Sequence, residues 1–349
     1  MSKILVTGSA GFIGSALTLM LLERGDKVVG IDNHNEYYDP KLKEARLQRH
    51  IDHPNYLHKR MPIEDREGIA ELFRVHKFDK VINLAAQAGV RFSIESPMSY
   101  IDSNLVGFAN ILEACRHNKI KHLVYASSSS VYGSNTNMPF STDANVDHPL
   151  SLYAATKKAN ELMAHAYSHL YSIPTTGLRF FSVYGPWGRP DMALYKFTRK
   201  IISGEAIQVN NNGNHSRDFT YIDDIIDGIL LVLDRCPVPN FNYDSDLPKP
   251  SSSSAPWRIY NIGSNEPIKL LDYITAIEDA LEIKAQKVFA PLQPGDVPDT
   301  FADVTDLVEE FSYKPNTAVK TGVKKFVDWY KEFHQQVWYN WGKFTWRLQ

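Results

Sequence analysis

The first fourteen residues constrain the fold more than any other stretch. The apolar run Ile4-Leu5-Val6 leads directly into Gly8-Ser-Ala-Gly11-Phe-Ile-Gly14, and the chain then takes up a helical pattern over residues 13–24. Glycines at this spacing between strand and helix allow a tight turn, close backbone approach to an anion, and close packing of the helix on the strand. A second apolar run, residues 27–31, ends at Asp32. That is the distance downstream at which a carboxylate accepts hydrogen bonds from an adenosine ribose, and its charge would repel a 2′-phosphate. The unit predicts an NAD site rather than an NADP site, with Gly8, Gly11, Phe12, Ile13 and Gly14 at the pyrophosphate and Asp32 and Asn33 at the ribose. A glycine turn beside an ordinary surface acid is the competing reading, and the strand-to-helix context disfavours it.

The pattern continues. Short apolar runs at residues 80–84, 122–126 and 175–179 read as further buried strands, separated by helical stretches at 64–76, 103–117 and 153–171. Alternation of this kind is the mark of parallel βαβ units. The fold class expected is α/β, a Rossmann-type doubly wound parallel sheet with a smaller C-terminal α/β substrate-binding lobe. The division expected is a nucleotide-binding domain over 1–183, with returning segments near 219–235 and 258–264, a discontinuous lobe over 184–335, and an aromatic tail over 336–349. A terminal helix is expected over 319–336, and residues 236–256, rich in proline and serine, read as an irregular excursion.

With 349 residues, 43% hydrophobic and 22% charged, and a net charge of -2, the chain has no bulk attraction to nucleic acid or to an anionic membrane. Small-molecule chemistry is the better expectation. Cys115 and Cys236 sit at no metal-ligand spacing and read as buried packing residues, and no metal site is expected. No signal peptide or membrane span is legible, which gives a cytoplasmic expectation.

Tyr153 and Lys157 lie four residues apart in a predicted helix and so share one face. A fixed positive charge near a phenol favours the phenolate, so the pair reads as a device for activating a hydroxyl. Taken alone the spacing is common in any helix, and its neighbours give it meaning.

Together with Asn83-Leu-Ala-Ala86 and Ser127-Ser-Ser-Ser-Val-Tyr-Gly133, these motifs resemble the extended short-chain dehydrogenase/reductase family over nearly the whole chain. Within it the chain is most similar to the UDP-glucuronate 4-epimerase branch, through residues 32–40, Ala86-Gln-Ala-Gly-Val-Arg91, residues 184–192 and residues 292–299. The resemblance implies a tightly held NAD, a UDP-sugar substrate and reversible oxidation at sugar C4. Tyr153 would be the base, Lys157 would hold the nicotinamide ribose and lower the phenol's pKa, and Ser128 would bond the reacting oxygen. Ala85 and Asn104 would support the cofactor. Arg91, Ser129, Ser130, Ser182, Arg189, Arg217 and Asp296 would line the substrate site, with Arg217 and Arg189 suited to the diphosphate and Asp296 to the uridine ribose. Surface ion pairing is the alternative for both arginines.

Two departures stand out: Pro62 replaces an adenine-reading Asp, and Gln293 replaces the Arg of galactose-type epimerases. Related 4,6-dehydratases place Asp and Glu where this chain has Ser129 and Ser130. Neutral hydroxyls cannot readily do that acid/base work, but they can donate to a sugar carboxylate. Hydroxyls of this run and Ser182 would then keep a 4-keto uronate from losing carbon dioxide. Bonding of these serines to their own backbone is the competing reading. Rival functions are a UDP-glucose or UDP-N-acetylhexosamine 4-epimerase, a UDP-glucuronate decarboxylase, and a non-catalytic NAD-sensing scaffold. The resemblance also implies a homodimer through a four-helix interface built from 103–117 and 153–171.

Overall fold

The computed structural model describes residues 1–293 and 295–340. Its strands are β1 Lys3–Thr7, β2 Lys27–Asp32, β3 Tyr56–Arg60, β4 Lys80–Asn83, β5 His122–Ser128, β6 Thr175–Phe180, β7 Ser182–Tyr184, β8 Ile207–Val209, β9 Ser216–Tyr221, β10 Trp257–Ile262, β11 Pro267–Lys269 and β12 Lys287–Phe289. Seven form one parallel sheet in the order β3-β2-β1-β4-β5-β6-β10. The winding reverses between β1 and β4, and a crevice at that switch point, beyond the carboxyl ends of the strands, is where such sheets bind ligands.

Both faces of the sheet are covered, which explains why its strands read as continuous apolar runs. Ile4, Val6, Ile82, Val124 and Leu178 share a core with the helices Phe12–Glu23 and Ile222–Asp234. Their neighbours Leu5, Val81, Leu123 and Tyr125 point the other way, as strand alternation requires. They pack with the helices Arg66–His76, Phe108–His117 and Leu152–Tyr171. Helix starts are set locally. Asp65 accepts from the Gly68 amide at 3.0 Å, and Ser151 accepts from the Ala154 amide at 3.1 Å.

Among the elements that escape the sequence reading are the edge strand β3 and the helix Pro40–Gln48. The helix expected over 103–117 is divided, with a π-helical turn Ile101–Gly107 preceding Phe108–His117. After β6 the strands shorten into a three-stranded sheet, β11-β9-β7, and a parallel pair, β12-β8. The terminal helix, Val319–Asn340, is longer than expected, and residues 341–349 of the expected aromatic tail lie outside the described residues. No helix of the described residues is long and apolar enough to cross a membrane. Cys115 is buried as expected, but Cys236 is exposed, because it follows the helix Ile222–Asp234 at the start of the excursion rather than packing beneath it.

Candidate active site

One cleft of about 780 Å³ opens above the switch point. It is lined by every expected site residue except Asn104.

At its nucleotide end, Gly8 has φ of +71° and donates to the Ile31 carbonyl at 2.8 Å, which folds the loop back over β2. A Cβ on Gly8 would lie 2.9 Å from the Ala85 amide nitrogen, so this close approach of two loops requires glycine. The helix Phe12–Glu23 begins at Gly11 with no side-chain cap, leaving its first amides to face an anion. Asp32 ends β2, and its carboxylate accepts from the Ala10 amide at 3.2 Å, the His34 amide at 2.8 Å and Lys43 Nζ at 3.1 Å. The Asp32–Lys43 pair is buried, at 5% and 8% side-chain exposure. Pro62 and Asn33 also line this end.

Sequence reasoning missed Lys43 because it missed the helix that carries it. The same helix supplies Arg46, which is fully buried. Arg46 donates to the Trp187 carbonyl at 2.7 Å, the Gly188 carbonyl at 3.2 Å and the Ala10 carbonyl at 3.4 Å. The glycine turn is thereby joined to the segment that leads into Arg189.

Tyr153 and Lys157 do share a face of the helix Leu152–Tyr171 and line the middle of the cleft. Their electrostatics differ from expectation. Burial is the main influence on the Tyr153 phenol and raises it, while the Ser128 hydroxyl and the Arg189 charge pull it down. Lys157 donates to the Ala126 carbonyl at 2.8 Å, and burial lowers it to about 8. Arg189 is thus a cation that favours the phenolate. Asn104 lies one layer behind the wall rather than on it. Its side chain accepts from the Gln87 amide at 2.8 Å and donates to the Gln87 carbonyl and Thr156 Oγ1, both at 3.0 Å. It thus fixes the cofactor-facing loop to the helix of Tyr153.

Beyond β5, Ser128 caps the short turn Ser129–Tyr132 by accepting from the Ser130 amide at 3.1 Å. Ser127 turns away to donate to Glu161 at 2.6 Å. The hydroxyls of Ser129, Ser130 and Ser182 line the cleft, and no described protein group engages them.

The arginines separate. Arg217 donates to the Val297 and Pro298 carbonyls, both at 2.6 Å, and anchors that loop. Arg91 and Asp296 form an ion pair at 2.8 Å across the cleft mouth. Arg189 lies close enough to Tyr153 for its charge to reach the phenol.

A family model described as "NAD dependent epimerase/dehydratase family" matches residues 4–242. The chain belongs to this family. The residues at the glycine end of the cleft fit the NAD of this family: uncapped helix amides at Gly11, a loop with no room for a Cβ at Gly8, and Asp32 paired with Lys43. Curated relatives of the family include the protein CapI of Staphylococcus aureus, 54% identical with 96% of this chain and all of that protein covered. UDP-glucuronate 4-epimerase 2 of Arabidopsis thaliana is 46% identical, with 96% and 77% covered. Among solved structures, a UDP-glucuronic acid 4-epimerase from Bacillus cereus in complex with UDP-glucuronic acid and NAD superposes with a TM-score of 0.83. It is 32% identical over 95% of this chain and 99% of that one.

Proposed function

We propose that this isomerase, an NAD-dependent UDP-sugar 4-epimerase, interconverts UDP-glucuronate and UDP-galacturonate. The observation that carries the uronate assignment is the cleft wall shared with Tyr153, where Ser129, Ser130 and Ser182 have hydroxyls that no described protein group engages. Hydroxyl donors suit a carboxylate, and the lack of an acid at 129 and 130 disfavours elimination.

In this reading Tyr153, as phenolate, takes the proton of the C4 hydroxyl and later returns it. Ser128 bonds the same oxygen. NAD, when bound, would supply the reversible hydride acceptor that inversion at C4 requires. Lys157 would hold the nicotinamide ribose. The three serine hydroxyls hold the C6 carboxylate of the 4-keto sugar out of a decarboxylating alignment. Arg217 and Asp296 serve the nucleotide half. Exposed Val106, Leu162 and Leu170, on the π-helical turn Ile101–Gly107 and the helix Leu152–Tyr171, support a homodimer through this face.

An NMR time course with UDP-glucuronate and no added cofactor tests the assignment. UDP-galacturonate is expected. A pentose product would instead indicate a decarboxylase, and turnover of UDP-glucose alone would indicate the neutral-sugar epimerase. Alanine at Ser129, Ser130 and Ser182 should release pentose or weaken uronate binding, and the absence of both effects would remove the role given to these hydroxyls.

A further inference from the structure

Arg189 already binds a carboxylate. Its Nε and Nη2 donate to the two oxygens of Asp191 at 3.0 and 2.5 Å, the forked arrangement that a guanidinium makes with any carboxylate. Asp191 is held from a second side, because Tyr37 donates to it at 3.0 Å from the loop after β2, 154 residues away in sequence. All three side chains line the cleft. The pair is about one-quarter exposed on each side, so it is neither locked in the core nor dissolved in solvent.

Geometry sets what Arg189 can meet. With C4 at Tyr153, the C6 carboxylate of a uronate hangs on C5, the next ring carbon, and Arg189, which lines the same cleft, is near enough for its charge to reach the phenol. We propose that Asp191 is a specificity-determining positioning residue, the internal partner of Arg189 that a sugar carboxylate exchanges with on binding. The proposal rests on the uronate reading above. A neutral hexose offers nothing to exchange and leaves the pair intact.

The surrounding charges favour exchange over simple addition. Burial alone would raise Asp191, but Arg189 outweighs it and holds the carboxyl below its ordinary range, so Asp191 is an anion at neutral pH. Lys196 lines the same cleft, close enough to feel both charges, and supplies a second cation for Asp191 when Arg189 turns to substrate. Burial, and then the Asp191 charge, push the Tyr37 phenol up to about 12, so Tyr37 remains a donor throughout.

The test compares the wild type with Asp191→Asn and Tyr37→Phe. It measures KM for UDP-glucuronate and the inhibition constant of UDP-glucose as a competitor. Asp191→Asn removes the competing charge, so the ratio of the UDP-glucose constant to the UDP-glucuronate KM should rise roughly three- to tenfold, the range for a partly exposed bidentate pair. Tyr37→Phe should move the ratio the same way by a smaller factor, and it decides the matter should Asp191→Asn fail to fold. A purely structural Asp191 would weaken both ligands alike, and an unchanged or lowered ratio overturns the proposal. A wild type that does not turn over UDP-glucuronate overturns the uronate reading itself, a separable outcome.

Discussion

Glu161 stands two helical turns beyond Tyr153, on the face that also presents Lys157. Its carboxylate accepts from Arg179 Nε and Nη2, both at 2.9 Å, and from Ser127 Oγ at 2.6 Å. Arg179 is fully buried and Glu161 is 3% exposed. Arg179 also donates to the Tyr132 hydroxyl at 3.1 Å, and Tyr132 to Asn261 at 2.7 Å, so one ion pair links the catalytic helix to β5, β6 and β10. Glu161→Ala leaves the guanidinium buried and unpaired, which costs about 3–5 kcal/mol. Against a total stability of roughly 5–15 kcal/mol that is a large share, and it corresponds to a fall of roughly 4–7 °C in the unfolding midpoint. Replacing both partners with apolar residues of similar volume, Glu161→Leu with Arg179→Met, should recover most of the loss, because no charge is then stranded. Urea denaturation of the two variants and the wild type checks both steps. A loss below about 1 kcal/mol for Glu161→Ala, or a double variant no more stable than the single one, refutes the reasoning.

Three further expectations follow from the site. Burial raises the Tyr153 phenol, so the phenolate fraction and turnover should climb on the alkaline side of neutrality; Arg189→Met should move that limb to higher pH, and a pH–kcat profile that stays in place contradicts the assignment. Lys157 titrates near 8 when folded and at 10.5 when unfolded, so the unfolded chain binds more protons between those values and stability should rise with pH across that window. At neutral pH Lys157→Met should therefore stabilise the fold by on the order of 1–3 kcal/mol while reducing turnover by about a hundredfold or more, as thermal melts and assays would show. Alkylation of the native protein should modify Cys236 and spare Cys115, whose thiol is fully buried and pushed up by that burial, and intact mass followed by peptide mapping reads this directly.

The legible parts of the fold are those whose causes are local in sequence. β1, β2, β4, β5 and β6 announce themselves because strands covered on both faces must be apolar throughout. β3 does not, since Tyr56-Leu-His-Lys-Arg60 buries only Tyr56 at the sheet edge. The helix Pro40–Gln48 hides for a related reason: two of its four buried residues are Lys43 and Arg46, which count as surface residues until their partners are known. The site divides along the same line. Glycines 8, 11 and 14, Asp32, Ser128, Tyr153 and Lys157 have roles set by spacing within short motifs. Glu161 and Tyr37 act through partners 18 to 154 residues away, and no short motif contains both ends.

Arg46 bears on modularity. Its guanidinium is shared between the carbonyl that follows the first strand and two carbonyls past residue 184, so neither side satisfies it alone. A chain cut after residue 183 would remove both of those later carbonyls, and a new sugar-recognition lobe grafted onto the first half would have to replace them. Residues 10, 46, 187 and 188 form one indivisible joint, and a recombined enzyme must inherit them together.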